Sequence, residues 1–210
     1  MTTYSLVGVD LGSVMAGCSR FEGSELAWAK PWKLRTYRKG EHPGTKWARL
    51  RGFLEALDQP DYVAYEKVVM HQSSAVNCSR CGNLRKGQYR GRGAGLRCAK
   101  CGNRAARRTR MNVDAAHAYG AGEALLLEWC FGFGVTPIEI HTSAVKIAAV
   151  GKGGGAGTAK EDILLAARAR WPGVEFKNHD VADAAFIGLA AAQQLGWIVP
   201  RGTTQPLFQQ

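Results

Sequence analysis

Near the N-terminus, Leu6-Val7-Gly8-Val9-Asp10-Leu11-Gly12-Ser13 is a short apolar run that carries one carboxylate and breaks at glycine. Its length, its alternating valines and the closing glycine predict a buried β-strand over residues 6–12. An acid inside such a strand is costly, because a carboxylate taken out of water loses its hydration. A divalent cation is one of the few partners that offsets this, so Asp10 is read as the nucleus of a metal site. A single Asp also serves commonly as a turn or cap residue. The choice between these roles turns on whether later segments bring further acids to the same place.

The chain that follows alternates strand and helix patterns. Residues 18–24 and 26–30 resemble two more strands around Gly23, an antiparallel meander attached to the first. After a polar, basic loop (33–45), Trp47, Leu50, Phe53, Leu54 and Leu57 recur at helical spacing up to Asp58-Gln59-Pro60. Tyr62-Val63-Ala64-Tyr65-Glu66 is a further strand that, like the first, carries an acid, here at its end. A helix over 115–131 is apolar almost all round, which suits a central core element or a dimer interface. Residues 136–140 form a strand, 143–150 a short helix carrying Lys146, and 161–170 an amphipathic helix. Asn178-His179-Asp180-Val181-Ala182-Asp183 opens the last helix, and the tail 200–210 is expected to be disordered. Asp180 and Asp183 lie three apart, so both can face one way from the first turn. For either alone, an N-cap is the simpler role.

Between Cys78 and Arg110 the chain changes character. Four of its six cysteines fall as Cys78-Ser-Arg-Cys81 and Cys98-Ala-Lys-Cys101, a spacing that matches a four-cysteine Zn²⁺ ribbon. Gly82 and Gly102 follow the pairs as tight-turn residues. So small a module has little core, and metal binding supplies its folding free energy. Eleven of the 28 Lys and Arg residues lie in this segment with no acid among them, leaving 17 elsewhere against the chain's 17 acids. The whole net charge of +11 is therefore local. A cluster of this kind, with Arg80, Arg85, Arg90, Arg92, Arg107 and Arg108, is the footprint of a nucleic-acid partner. A zinc-stapled loop that only stabilises the fold is the competing role. Cys18 and Cys130 sit in apolar surroundings and read as inert buried thiols.

At 210 residues the chain suits one domain with an insertion. No stretch approaches a membrane span, and Met-Thr-Thr-Tyr lacks a signal peptide's basic region and cleavage site, so a cytoplasmic protein is expected. The basic glycine loop 151–160 lacks the Gly-Lys-Ser/Thr ending of a nucleotide-binding P-loop. Its glycines beside Lys152 and Lys160 instead suit close approach of a phosphate backbone, or an ordinary mobile connector.

The acids Asp10, Glu66, Asp180 and Asp183 come from three separated segments, the way a fold converges ligands on hard divalent cations. Their order, with Gly8-Val9-Asp10, Ala16-Gly17, Tyr65-Glu66, His71, Asp114-Ala-Ala-His-Ala-Tyr-Gly120, Gly151-Lys152, Lys160 and Asp180-Val-Ala-Asp183-Ala, resembles the RuvC family of Holliday junction resolvases. The likeness is strongest to the short, phage-type branch and covers nearly the whole chain. It implies an α/β, RNase H-like fold with a mixed five-stranded sheet flanked by helices, built from 1–74 and 113–199. The four-cysteine zinc ribbon, 75–112, departs from the family pattern and is inserted in a loop expected to face DNA.

The resemblance further implies that Asp10, Glu66, Asp180 and Asp183 are a catalytic tetrad holding two Mg²⁺ ions, which Mn²⁺ can replace, with Asp10 bridging both. It implies a homodimer, with helix 115–131 in the interface, that makes paired symmetric nicks in four-way junctions during DNA recombination and repair. Lys146, Lys152 and Lys160 would then meet scissile-strand phosphates. His71 and His117 are either acid–base or phosphate-contacting groups or structural ones, and His179 is expected to orient Asp180. A nuclease for other branched DNA or RNA–DNA hybrids, and a non-catalytic nucleic-acid-binding protein, are the alternatives.

Overall fold

The structure is a computed structural model of the chain. It describes residues 4–12, 14–35, 41–42, 44–67, 73–78, 80–84, 88–91, 95–110, 113–151 and 159–199, with backbone only for 73–77, 82–84, 106–110, 113–116 and 118. His71, Arg85, Arg92, Lys152 and the tail 200–210 lie outside the described residues.

The chain divides into two compact units, Met1–Val68 with Ala118–Gln210, and Val69–His117. In order its elements are β1 (Ser5–Asp10), β2 (Met15–Glu22), β3 (Glu25–Lys33), α1 (Thr45–Glu55), β4 (Tyr62–Glu66), β5 (Ser73–Cys78), β6 (Gly82–Leu84), β7 (Tyr89–Arg90), β8 (Arg97–Cys98), β9 (Ala105–Arg110), α2 (Val113–Phe133), β10 (Thr136–Ile140), α3 (Thr142–Val150), α4 (Lys160–Arg170) and α5 (His179–Gln194).

In the first unit a 5-stranded sheet runs β10-β4-β1-β2-β3. β1, β2 and β3 form the antiparallel meander, while β4 lies parallel to β1 and β10 parallel to β4. β2 and β3 run longer than the sequence pattern indicates, with a register shift at Arg20/Phe21. β3 is an edge strand, where Lys30, Pro31 and Lys33 are tolerated because one side of the backbone needs no partner.

Strand alternation sorts the core into two layers. Val7 and Val9 of β1 and Val63 and Tyr65 of β4 pack with Leu50 and Leu54 of α1 and Leu126, Trp129 and Cys130 of α2. Leu6 and Ala64 pack on the opposite face with Val145 of α3, Ile163 and Ala167 of α4 and Phe186 and Leu189 of α5.

Of the helices, α5 takes the central core position, with 11 of its residues buried. α2 is instead two-faced: Leu126 and Cys130 are buried, but Phe131 is 91% exposed. Of the two roles open to the long apolar helix, a central core element or a dimer interface, the central core position falls to α5. The alanine-rich surface of α5 lets it lie closer to the sheet than the leucines and tryptophan of α2 allow. The buried Cys18 thiol is pushed far above its ordinary pKa by desolvation, and the buried Cys130 thiol is pushed up to about 11.

The second unit holds a 3-stranded sheet, β6-β5-β9, and the pair β7-β8. Its apolar centre is small: Cys78, Leu96, Cys98 and Ala105, with Tyr89 and Cys101 packed against them. Among the described residues no helix is long and apolar enough to cross a membrane.

Candidate metal-binding active site

Strand period and register bring the first two acids together. Along β1, Leu6 and Gly8 face α5 while Val7 and Val9 face away, and the period of two places Asp10 on the α5 side. Along β4 the same alternation puts Ala64 and then Glu66 on that side. Val9 pairs with Tyr65 in parallel register, so Asp10 and Glu66 are neighbours one step further, where both strands end.

The other two acids arrive from the first turns of α5. Here the capping role considered for Asp180 or Asp183 is taken by Asn178, whose side chain accepts from the Val181 backbone N–H at 3.0 Å. Both aspartates are thereby left for other work. The helix start is pressed onto the sheet: Ser19 Oγ donates to the Ala184 carbonyl at 2.8 Å. A Cβ at Gly8 would come within 2.4 Å of the Ala184 oxygen, and one at Gly17 within 1.8 Å of the Asp180 oxygen. Gly8, on the same side of β1 as Asp10, and Gly17, paired with Asp10 across the β1–β2 ladder, allow the close approach.

The resulting electrostatics are those of crowded like charges. Burial holds the Asp10 carboxyl well above its ordinary pKa, reinforced by Asp183, Asp180 and Glu66 and opposed by Lys160. Asp183 is pushed up to about 6 by burial, Glu66 and Asp180, against Lys160 and His179. Four half-buried carboxylates within electrostatic reach of one lysine leave an excess of negative charge in the site. Hard cations with oxygen ligands fit such a donor set.

Both shifts have one sign. Between the ordinary Asp value of 3.8 and about 6, folded Asp183 keeps a proton that the unfolded chain has released. Stability present at low pH is therefore lost as pH rises through that interval. In metal-free buffer near neutral pH, Asp183→Asn is expected to unfold later than the parent, by about 1–3 kcal/mol. The gap should close near pH 4, and thermal melts at both pH values check it. A variant no more stable at neutral pH contradicts the repulsion.

Two contacts escaped the sequence reading. Thr142 Oγ1 donates to Glu66 Oε1 at 2.5 Å and so fixes that carboxylate. The only signal for it was position: Thr142 opens α3 just beyond β10, whose Ile140 pairs with Glu66. His179 has its Nδ1 3.1 Å from the Lys160 carbonyl, a contact that ties α5 to α4. Backbone oxygens at a helix start are not predictable from side-chain spacing. Lys160 lies within electrostatic reach of Asp10 and Asp183, Lys146 is half-buried on α3, and His117 is exposed on α2.

In the second unit, Cys78, Cys81, Cys98 and Cys101 place their sulfurs within 4.8 Å of one another. Among the described residues this is the group of ligating atoms drawn that close. Cys78 and Cys101 Sγ are 3.5 Å apart. Backbone N–H groups of Cys81 and Arg80 lower the Cys78 thiol to about 7, whereas Cys101 helps raise Cys81 to about 12. Gly102 has φ +72°, and its N–H bonds the Cys98 carbonyl at 2.9 Å, closing one knuckle; Gly82 instead begins β6. Arg80, Arg90, Arg97, Lys100 and Arg104 are exposed, and Arg107 and Arg108 stand in β9 opposite Val76 and Ala75.

No family model matches this sequence, and no curated protein does. Solved structures do. A structure described as T. thermophilus RuvC in complex with Holliday junction substrate aligns over 92% of this chain and 97% of its own, with a TM-score of 0.60 and 20% identity. A second Thermus thermophilus RuvC structure aligns over 91% and 96%, with a TM-score of 0.56 and 20% identity. The mixed sheet, its strand order and the flanking helices are accordingly those of the RuvC, RNase H-like fold.

Proposed function

We propose that this protein is a RuvC-family endonuclease that hydrolyses phosphodiester bonds in branched DNA, four-way Holliday junctions foremost, as a homodimer. The observation that carries this reading is the convergence of Asp10, Glu66, Asp180 and Asp183 at one end of a RuvC-type sheet. Those four carboxylates would hold the metal, two Mg²⁺ ions or Mn²⁺ in their place, supplying an activated water and charge neutralisation at the leaving oxygen. Asp10, with all three other acids as electrostatic neighbours, would be the central ligand of the set. Thr142 orients Glu66, and Asn178 and Gly17 set the start of α5. Lys160 offers the site a cation for a DNA phosphate, with Lys146 and Lys152 as further contacts.

A homodimer is supported by α2, whose Phe131 and Phe133 stand 91% and 48% exposed. Aromatic residues turned outward on an otherwise apolar helix suit a partner helix. Two such subunits would nick opposed strands of a junction in symmetric pairs.

For the second unit the reading is a structural Zn²⁺ held by the four cysteines. Tetrahedral thiolates about 2.3 Å from zinc lie about 3.8 Å from one another, a spacing close to that of Cys78 and Cys101. Reduced, zinc-binding thiols suit the cytoplasm, that of a host if the protein is phage-encoded. The exposed arginines would contact DNA phosphates. Replacing Arg80 and Arg90 together by Gln is expected to flatten the dependence of log affinity on log salt by about 0.9 for each lost phosphate contact. An unchanged slope would leave the ribbon as a staple only.

The reading is tested by incubating the protein in Mg²⁺ or Mn²⁺ with four-way junction, flap, linear duplex and RNA–DNA hybrid, and mapping nicks on every strand. Symmetric paired nicks near the branch are expected. Nicks confined to flaps or hybrids would keep the chemistry and change the substrate. No nicking of any substrate would favour a non-catalytic DNA-binding role.

A further inference from the structure

α2 turns one stripe toward the sheet, and that stripe leads to the carboxylates. Leu126, Trp129 and Cys130 pack with Val7, Val9 and Val63. One turn earlier, Glu123 lies within electrostatic reach of Tyr65, next to the last residue of β4. A Cβ at Gly122 would meet the Trp47 ring at 3.3 Å and Leu11 Cδ1 at 3.9 Å, just past the end of β1. Followed backwards, α2 thus climbs toward the strand ends.

Tyr119 is the next position on the same stripe, three residues before Gly122 and four before Glu123. A helical turn of about 5.4 Å carries it past Tyr65 and Leu11, beyond the ends of β1 and β4 at Asp10 and Glu66. There it is half-buried, yet it belongs to neither apolar cluster of its unit. Its electrostatic neighbours are Asp10, Lys160, Glu66 and Asp180. A phenol in that position has polar work to do.

We propose that the Tyr119 hydroxyl donates a hydrogen bond to the scissile phosphate, as a neutral donor on the α2 side of the four carboxylates. The assignment rests on the nuclease reading above and deepens it. A phosphodiester entering an acid-lined site needs hydrogen-bond donors, and a neutral phenol adds one beside the Lys160 cation without adding charge. The phenol qualifies because burial, Asp10, Glu66 and Asp180 all raise its pKa, keeping the O–H intact at neutral pH. Its two neighbours on the stripe offer no donor: Gly122 has no side chain, and the Glu123 carboxylate has only acceptor oxygens.

The test compares the full-length parent with Tyr119→Phe, which keeps the ring and removes only the hydroxyl. Single-turnover junction cleavage is expected to fall about 10- to 100-fold, the cost of one preorganised donor. Junction affinity in Ca²⁺ and the melting temperature should not move. Sulfur in place of one non-bridging oxygen at the scissile phosphate should slow the parent but add little to the slowing in Tyr119→Phe, since both remove the same contact. A parent-like rate in Tyr119→Phe overturns the assignment, as does a loss of affinity and stability in proportion to rate, which would mark a packing role. If the parent itself nicks no DNA, the nuclease reading fails in that arm alone, and the assignment fails with it.

Discussion

Asp10→Asn is expected to abolish cleavage, by about 1000-fold or more, while junction binding persists. Asparagine fits the same space and accepts hydrogen bonds, but it brings no charge to a site whose ligand would have to balance a divalent ion. On the proposed reading, binding would be set elsewhere, by cations such as the exposed arginines of the second unit, and its salt dependence should survive the substitution. The fold should survive as well. Asp10 is strained by burial and by Asp183, Asp180 and Glu66, so removing its charge relieves repulsion. The variant should melt no lower than the parent in metal-free buffer at neutral pH. Nicking rate, gel-shift affinity and melting temperature together check the prediction. Cleavage near the parent rate would remove Asp10 from the catalytic site.

Gly17→Ala should cost both stability and activity, although it adds only one methyl group. The new Cβ would lie 1.8 Å from the Asp180 oxygen, 2.4 Å from its carbon and 2.9 Å from the Val181 nitrogen. These are backbone atoms at the start of α5, and no rotamer change clears them. Either β2 or α5 must move, at a cost of about 1–3 kcal/mol or more. The movement takes Asp180 and Asp183 away from Asp10, and a displacement of about 1 Å at a reacting centre costs about 100-fold in rate. Gly52→Ala in α1 is the control: nothing lies within 4 Å of its Cβ, and alanine there should stabilise the helix by about 0.5–1 kcal/mol. Parent-like melting and nicking in Gly17→Ala would show that α5 does not need this close approach.

The elements themselves were legible wherever a local rule governs them. The apolar runs at Leu6–Leu11 and Tyr62–Tyr65 are strands because their residues alternate and stop at glycine or an acid. α1 follows its leucines and aromatics, and the two Cys-x-x-Cys pairs brought four sulfurs together because each pair closes its own turn. Less was legible where packing chose among equal options. For a long apolar helix, core element and dimer interface were equal options; Phe131 is exposed, and α5, poorer in large side chains, is the more buried. His179 carried no local sign of the α4 backbone oxygen that it meets. Thr142 carried no motif and still holds Glu66.

The sequence alone determined that Asp10 and Glu66 share a side with every second residue of their strands, since the strand period is a local steric property. It likewise determined that Asp180 and Asp183 leave one helix on one face. Tertiary structure decided that these two faces are the same one. That depended on the parallel register of β1 and β4, on α5 rather than α2 covering the Leu6–Gly8–Asp10 side, and on Gly8 and Gly17 letting it approach. Each is a long-range contact between residues far apart in the chain, so no window of sequence contains it. The charge of one carboxylate is local, but the elevated proton affinity of Asp10 and Asp183 exists only once folding has removed water and brought the acids together.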